Sequence, residues 1–362
     1  MELLKDQYFS PTFYKKLAAQ LKVVYPALDT RQFVRDATDD LESLALMQRM
    51  VRTSETCRRH FPDNFRKSLK ILYALAQTIE AGFAYLFMPD FVARYGEDHG
   101  DLSLLALRDF TQYSSSELAI RTFLARDFEA TLNTMLIWSR DDNYHVRRLA
   151  SEGSRPRLPW ARQVPQLLAD PEHTRTILTT LCQDDEKYVQ KSVANHLNDI
   201  SKDHPDWVVN LAKSWDRNNK NTAWIVKHGS RSLIKKGHKR ALSLFGVAPA
   251  KKISVRKFKL NAKAIKMGDT FSFSFALHSD HDKPQKLVVD YKLHFVKKSG
   301  ALSAKVFKLK ESLLPNGESI VFQKHYVFQD YTTRKHYEGN HLVEIIVNGE
   351  SMAKKRFMLS AS

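Results

Sequence analysis

Through the first 245 residues apolar positions recur every three or four residues with few glycines between them, the pattern of amphipathic helices. From Ile253 the period changes to two. Phe271, Phe273, Phe275 and Leu277 alternate with polar residues, as do Leu287, Val289, Tyr291, Leu293 and Phe295, so each run predicts a strand with one face in a core. Further runs at 303–309, 319–328, 341–348 and 351–359, punctuated by Asn316-Gly317 and Asn348-Gly349, bring the expectation to about seven strands, which suits an immunoglobulin-like sandwich. The predicted architecture is multidomain α plus β: helices over 1–248, a linker at 249–252 ending the Pro-containing stretch after Gly246, and a β-sandwich over 253–362. A chain of 362 residues suits that division, since single cores rarely grow past about 250 to 300 residues.

The helical region repeats itself. Asp141-Asp-Asn-Tyr-His-Val-Arg-Arg-Leu-Ala150 aligns with Asp184-Asp-Glu-Lys-Tyr-Val-Gln-Lys-Ser-Val193 at an offset of 43 residues, and the paired aspartates are expected to cap each helix. A weaker third copy, 36 residues further on, sets Ile225, Gly229 and Leu233 on Val189, Val193 and Leu197. Helical segments precede the copies at 128–139, 174–183 and 207–215, and helix pairs of this period describe a HEAT-like α-solenoid. The alignment also sorts polar residues onto one face. Arg148 and Glu152 fall on Lys191 and Asn195, Lys227 and Arg231 come from the third copy, and Asp199 lies one turn beyond Asn195. Such a stripe suits a solvated face, with Arg148 and Glu152 as an ordinary ion pair, or a binding surface.

The stretch after the first of these helices, Ser151-Glu-Gly-Ser-Arg-Pro-Arg-Leu-Pro-Trp-Ala-Arg162, favours a binding surface. Gly153 is expected just past the helix end, and Pro156 and Pro159 forbid its continuation, so a stiff loop is predicted. It brings Arg155, Arg157 and Arg162 together with Trp160 beside the carboxylate of Glu152. Phosphate-binding cations are thereby joined to a ring that either stacks on a ligand or covers the interhelical core.

Charge is distributed unevenly. Residues 1–200 hold 26 Lys+Arg against 27 Asp+Glu and the remainder 31 against 13, so the net +17 is C-terminal. A basic surface of that size attracts a polyanion, nucleic acid before an anionic membrane. The segment 71–88, the nearest approach to a membrane span, contains Gln77 and Glu80 and reads as a buried helix; no membrane partner is expected. Only Cys57 and Cys182 occur, without a C-x-x-C pair, and the start lacks a signal-peptide pattern, so a reducing cytoplasm is the expected setting. P-loop, Rossmann, nucleophile-elbow and zincin motifs do not occur. His278-Ser-Asp-His-Asp282 falls in a predicted hairpin without cysteine partners, so neither metal nor cofactor is expected.

The S-E-G-x-R-P-R-L-P-W run at 151–160, the D-D-x-x-x-V-R-R helix before it and Leu197-Asn-Asp-Ile-Ser201 resemble AlkC-type alkylpurine DNA glycosylases, HEAT-like relatives of AlkD. The resemblance covers most of 1–245, and the appended β-domain resembles the longer AlkC subgroup. It implies excision of small cationic lesions, mainly 3-methyladenine with 3-methylcytosine second, from duplex DNA in base excision repair. The implied setting is a monomer in a bacterial cytoplasm, associated with the nucleoid. The implied lesion pocket comprises Glu117, Glu152, Trp160 and Asp199, although Ser116 to Arg121 also reads as plain amphipathic helix in which Glu117 pairs with Arg121. Arg148, Arg155, Arg157, Arg162, Lys191, Lys227 and Arg231 are the expected DNA contacts. The Trp, Trp, Asp trio of the AlkD branch has no counterpart in spacing.

The implied chemistry follows from charge. Methylation at N3 makes adenine cationic and a good leaving group, so no general acid is needed, and one carboxylate can stabilise the oxocarbenium character of the sugar. Glu152 or Asp199 suits that task, Glu117 or the remaining carboxylate the lesion's charge, and Trp160 stacking. The lesion is expected to stay in or near the stack of a bent duplex rather than flip fully. A non-catalytic DNA-structure binder or a protein-interaction scaffold would share this fold and release no base.

Overall fold

The computed structural model describes residues 3–330 and 335–360. Met1–His204 and Trp215–Gly229 form one compact unit, Pro205–Ser214 and Ser230–Ser362 the other.

The first unit is a HEAT-like array of helices. Phe128–Trp138 precedes Tyr144–Gly153, and Arg175–Leu181 precedes Lys187–Ile200, as the repeat requires. The helices Tyr144–Gly153, Lys187–Ile200 and Lys220–Gly229 pack side by side in that order. Val146, Val189, Val193, Leu197 and Ile225, the apolar positions that the repeat equates, are buried. Gly229 permits the last approach, because a Cβ there would lie 2.9 Å from that of Leu197. Leu233 is also buried, but in a separate short helix, Arg231–Lys235, that belongs to the second unit.

The aspartate pairs serve differently from the expected caps. Asn143 caps Tyr144–Gly153, its side chain accepting from the His145 amide at 2.9 Å. Asp141 and Asp184 accept from the amides two residues on, both at 2.9 Å, and pair with Arg108 and Arg147 at 2.6 Å. Arg147 thus ties the first copy to the second. The segment 71–88 is not one helix: Phe65–Ala76 ends, a short 3-10 turn covers Phe83–Leu86, and Phe87–Tyr95 begins. Among the described residues no helix is long and apolar enough to cross a membrane.

The second unit is an immunoglobulin-like sandwich with helices attached. Its strands are β1 (Ile253–Leu260), β2 (Ala264–Lys266), β3 (Thr270–Ser279), β4 (Gln285–Val296), β5 (Leu302–Leu314), β6 (Ser319–Val327), β7 (Gly339–Val347) and β8 (Glu350–Ser360). One sheet runs β1-β3-β6 and the other β2-β8-β7-β4-β5. The alternating residues of β3 and β4 face one core with Val343, Ile345, Phe357 and Leu359, and Phe271 stacks on Phe357 at 4.0 Å. The stretch expected to be a linker is part of this unit. Val247 is buried against Leu242 and Val288, the Ala248 carbonyl accepts from the Asn348 side chain at 2.7 Å, and Gln285 binds both backbone groups of Lys251.

Candidate active site

The site begins with a buried arginine. Arg121, 1 % exposed, donates from Nη1 to the carbonyls of Gly153 (3.0 Å) and Arg155 (2.7 Å) and from Nε to that of Arg162 (2.9 Å). These bonds clamp the Pro-rich loop from inside. Burial, aided by the nearby Arg155 charge, lowers the Arg121 pKa to about 10, which leaves it cationic at neutral pH. Gly153 is the last helical residue rather than the one beyond, and its reason is steric: a Cβ would lie 2.6 Å from the Ile120 side-chain methyl.

The clamped loop holds Trp160 outward. Its φ is +62°, a left-handed conformation costly for a bulky side chain, and the residue is 77 % exposed. Such exposure removes the reading of Trp160 as a cover for the interhelical core. Trp160 borders two cavities of about 430 and 400 Å³, which also share Met47, Leu86, Ser115 and Leu118.

An ion-pair chain runs behind the loop. Glu117, in the turn before helix Ile120–Arg126, pairs with Arg148 and accepts from Ser115 Oγ at 2.7 Å. Arg121 is therefore not its partner. Arg148 Nη2 lies 3.4 Å from Glu152 Oε1, and Glu152 is bound by Arg155 Nη1 at 2.6 Å. Arg155 in turn binds Asp199 at 2.8 Å, and Lys202 closes the chain on Asp199 at 3.1 Å. Burial pushes the Glu152 carboxyl up, but the charges of Arg148 and Arg155 and the bonds from Ser192 and Arg155 outweigh it and hold the pKa below the ordinary range. The same carboxylates raise Arg155 despite its burial. Beneath them His196 is driven down to about 3, chiefly by burial, and stays neutral.

Of the three carboxylates Glu117 lines the larger of these two cavities, together with Arg148, His145 and Tyr188. Glu152 and Asp199 lie behind the arginines, 5 % and 3 % exposed. Tyr188 and His145 are additions to the site, their rings 6.0 Å apart edge to face, with Arg148 4.6 Å over Tyr188. They were legible in the repeat, since the offset of 43 sets His145 on Tyr188.

The expected DNA contacts divide. Arg148 and Arg155 are buried and committed to carboxylates. Arg157 is exposed but pairs with Asp203 through two bonds of 2.8 and 3.0 Å. Arg162, Lys191 and Lys227 are exposed, whereas Arg231 is half-buried and belongs to the second unit. Among the described residues no group of three or more His, Cys, Asp or Glu side chains could hold a metal ion. His278, at the end of the central strand β3, bonds Asp280 and Ser319 at 3.0 and 2.9 Å.

Known proteins resemble both parts. Residues 109–233 match the family of DNA alkylation repair enzymes, and residues 254–361 match the C-terminal Ig-like domain described for the uncharacterised protein YhaZ. YhaZ of Bacillus subtilis is 41 % identical over 348 residues, covering 96 % of each chain. The Pseudomonas fluorescens alkylpurine DNA glycosylase AlkC, solved bound to DNA containing an abasic-site analogue, is 45 % identical with a TM-score of 0.95, over 99 % of this chain and all of that one.

Proposed function

Because the chain belongs to the AlkC-like branch of the DNA alkylation repair enzymes, which carries a C-terminal Ig-like domain, we propose that it is a DNA glycosylase that releases cationic N3-methylated bases, 3-methyladenine first and 3-methylcytosine second, from duplex DNA. The observation that carries this reading is a carboxylate, Glu117, opening onto a cavity beside an outward-held Trp160, with two further carboxylates, each ion-paired with arginine, behind it.

The reaction needs little from the protein beyond charge and position. The bond between sugar C1′ and the base nitrogen breaks, and its electron pair neutralises the departing cationic base. The sugar is left with oxocarbenium character, which water captures with loss of a proton to give an abasic site. Glu117 faces the cationic base, while Glu152 and Asp199, both held by arginine, supply negative potential to the developing sugar cation. Trp160 packs against the nucleotide from the loop, so the lesion is reached in a bent duplex without a deep base pocket. Arg157, Arg162, Lys191, Lys227 and Arg231 take phosphate contacts.

The direct test is base release from methylated duplex DNA, with products identified and EDTA present. We expect free 3-methyladenine and an abasic site at an unchanged rate in EDTA. Loss of release in EDTA with recovery on adding zinc would overturn the metal-free mechanism, and DNA bending without any released base would leave a structure-specific binder.

A further inference from the structure

Arg148 has more partners than a phosphate contact needs. Its Nη1 donates to Glu117 and to Ser115 Oγ (2.7 Å), its Nη2 reaches toward Glu152, and its guanidinium lies over the Tyr188 ring. The residue is nine-tenths buried, and its Nε has no hydrogen-bond partner. Glu117, its side chain 22 % exposed, is the carboxylate a ligand in the larger cavity would meet.

Charges alternate along the chain from Glu117 through Arg148, Glu152, Arg155 and Asp199 to Lys202, three of each sign. In the free protein Glu117 is therefore already neutralised. A neutral base offers nothing to replace a partly buried ion pair, whereas a cationic base exchanges one cation for another. Arg148 can release Glu117 and still keep Glu152 and the face of Tyr188.

We infer that Arg148 is a displaceable counter-ion: it holds Glu117 neutralised in the free protein and yields it to a cationic lesion or to the cationic sugar left when the lesion departs, so that it sets how strongly Glu117 attracts a cation. The inference rests on the glycosylase reading above and assigns Arg148 to the site rather than to the phosphate backbone.

The test compares binding of the intact protein to two duplexes that differ at one nucleotide, a neutral tetrahydrofuran abasic mimic and a cationic pyrrolidine mimic. Arg148→Gln keeps polar contact but removes charge, so the preference for pyrrolidine should rise about tenfold, while Arg148→Lys, which keeps the charge, should hold it within about threefold. Glu117→Gln removes the other half of the pair and should lower the preference about tenfold in an otherwise native protein, which keeps the test decisive if Arg148→Gln does not fold. A preference unchanged in either folded variant overturns the inference. Wild-type protein that binds both mimics no better than undamaged duplex overturns the glycosylase reading and the inference with it.

Discussion

A left-handed tryptophan three-quarters exposed is a costly arrangement, and the three carbonyl bonds of Arg121 explain how the loop sustains it. If that conformation serves the reaction, Trp160→Ala should slow base release about tenfold or more without changing the melting temperature, because no core contact is lost. An unchanged rate would return Trp160 to the inert surface. Glu152 predicts the opposite balance. It is buried between two guanidiniums, so Glu152→Gln should cut the excision rate by about a hundredfold while DNA affinity stays within about threefold, and should also cost stability, since Arg148 and Arg155 lose a shared partner. Single-turnover rates and binding isotherms on the same variant separate the two effects. The loop motif and Glu152 were legible as residues because the run from Ser151 to Arg162 is long and specific, and Asp199 through the run from Leu197 to Ser201. The inward clamp was not: Arg121 sits at an ordinary helical spacing, and nothing in that spacing distinguishes an arginine aimed at solvent from one aimed at three carbonyls.

Period decided which elements form, and neighbours decided what each residue does within them. The alternation located β3 to β8 run by run but marked no run for β1 or for β2, whose three residues are too few to show a period. Gly153 shows the second part, since helix-end chemistry suggested a conformational role where Ile120 imposes a steric one. Gly153→Ala should therefore destabilise the helical unit by about 1 to 3 kcal/mol, read as a lowered denaturation midpoint, even though alanine has the better helix propensity. On β4, Asp290 is buried, and burial lifts its pKa to about 6 against the opposing pull of Lys308 and Lys235. A carboxyl whose folded pKa exceeds its unfolded value binds its proton more tightly in the native state, so it costs stability increasingly as pH rises from about 4 to 6 and fully above that. Asp290→Asn should raise the melting temperature at pH 7.5, by up to about 3 kcal/mol in stability, and lose that advantage near pH 4. A gain that persists undiminished at pH 4 would assign the effect to packing.

Across the whole molecule the charge asymmetry points at the second unit, which from Lys251 onward carries 21 Lys+Arg against 10 Asp+Glu. We propose that it serves as a DNA clamp. Composition alone drew the boundary near residue 248, but Pro205–Ser214 and the chain from Ser230 onward pack with the sandwich, so cutting near Ala250 would strip a compact unit of its own helices. The clamp is better tested by neutralising charge in the full chain. Lys251 and Lys252 precede β1 and Arg256, Lys257 and Lys259 lie along it, with Lys257 at φ +51° where the β1 register against β3 shifts. Each phosphate contact adds roughly 0.9 to the magnitude of the log K against log salt slope, so replacing all five by glutamine should flatten it by about 2 to 3 if two or three of them touch DNA. Release of base under saturating protein should be unaffected, because Glu117, Glu152 and Trp160 belong to the other unit. Binding isotherms at several salt concentrations with identical slopes for the two proteins would make these lysines a solubilising surface and leave DNA contact to the helical unit.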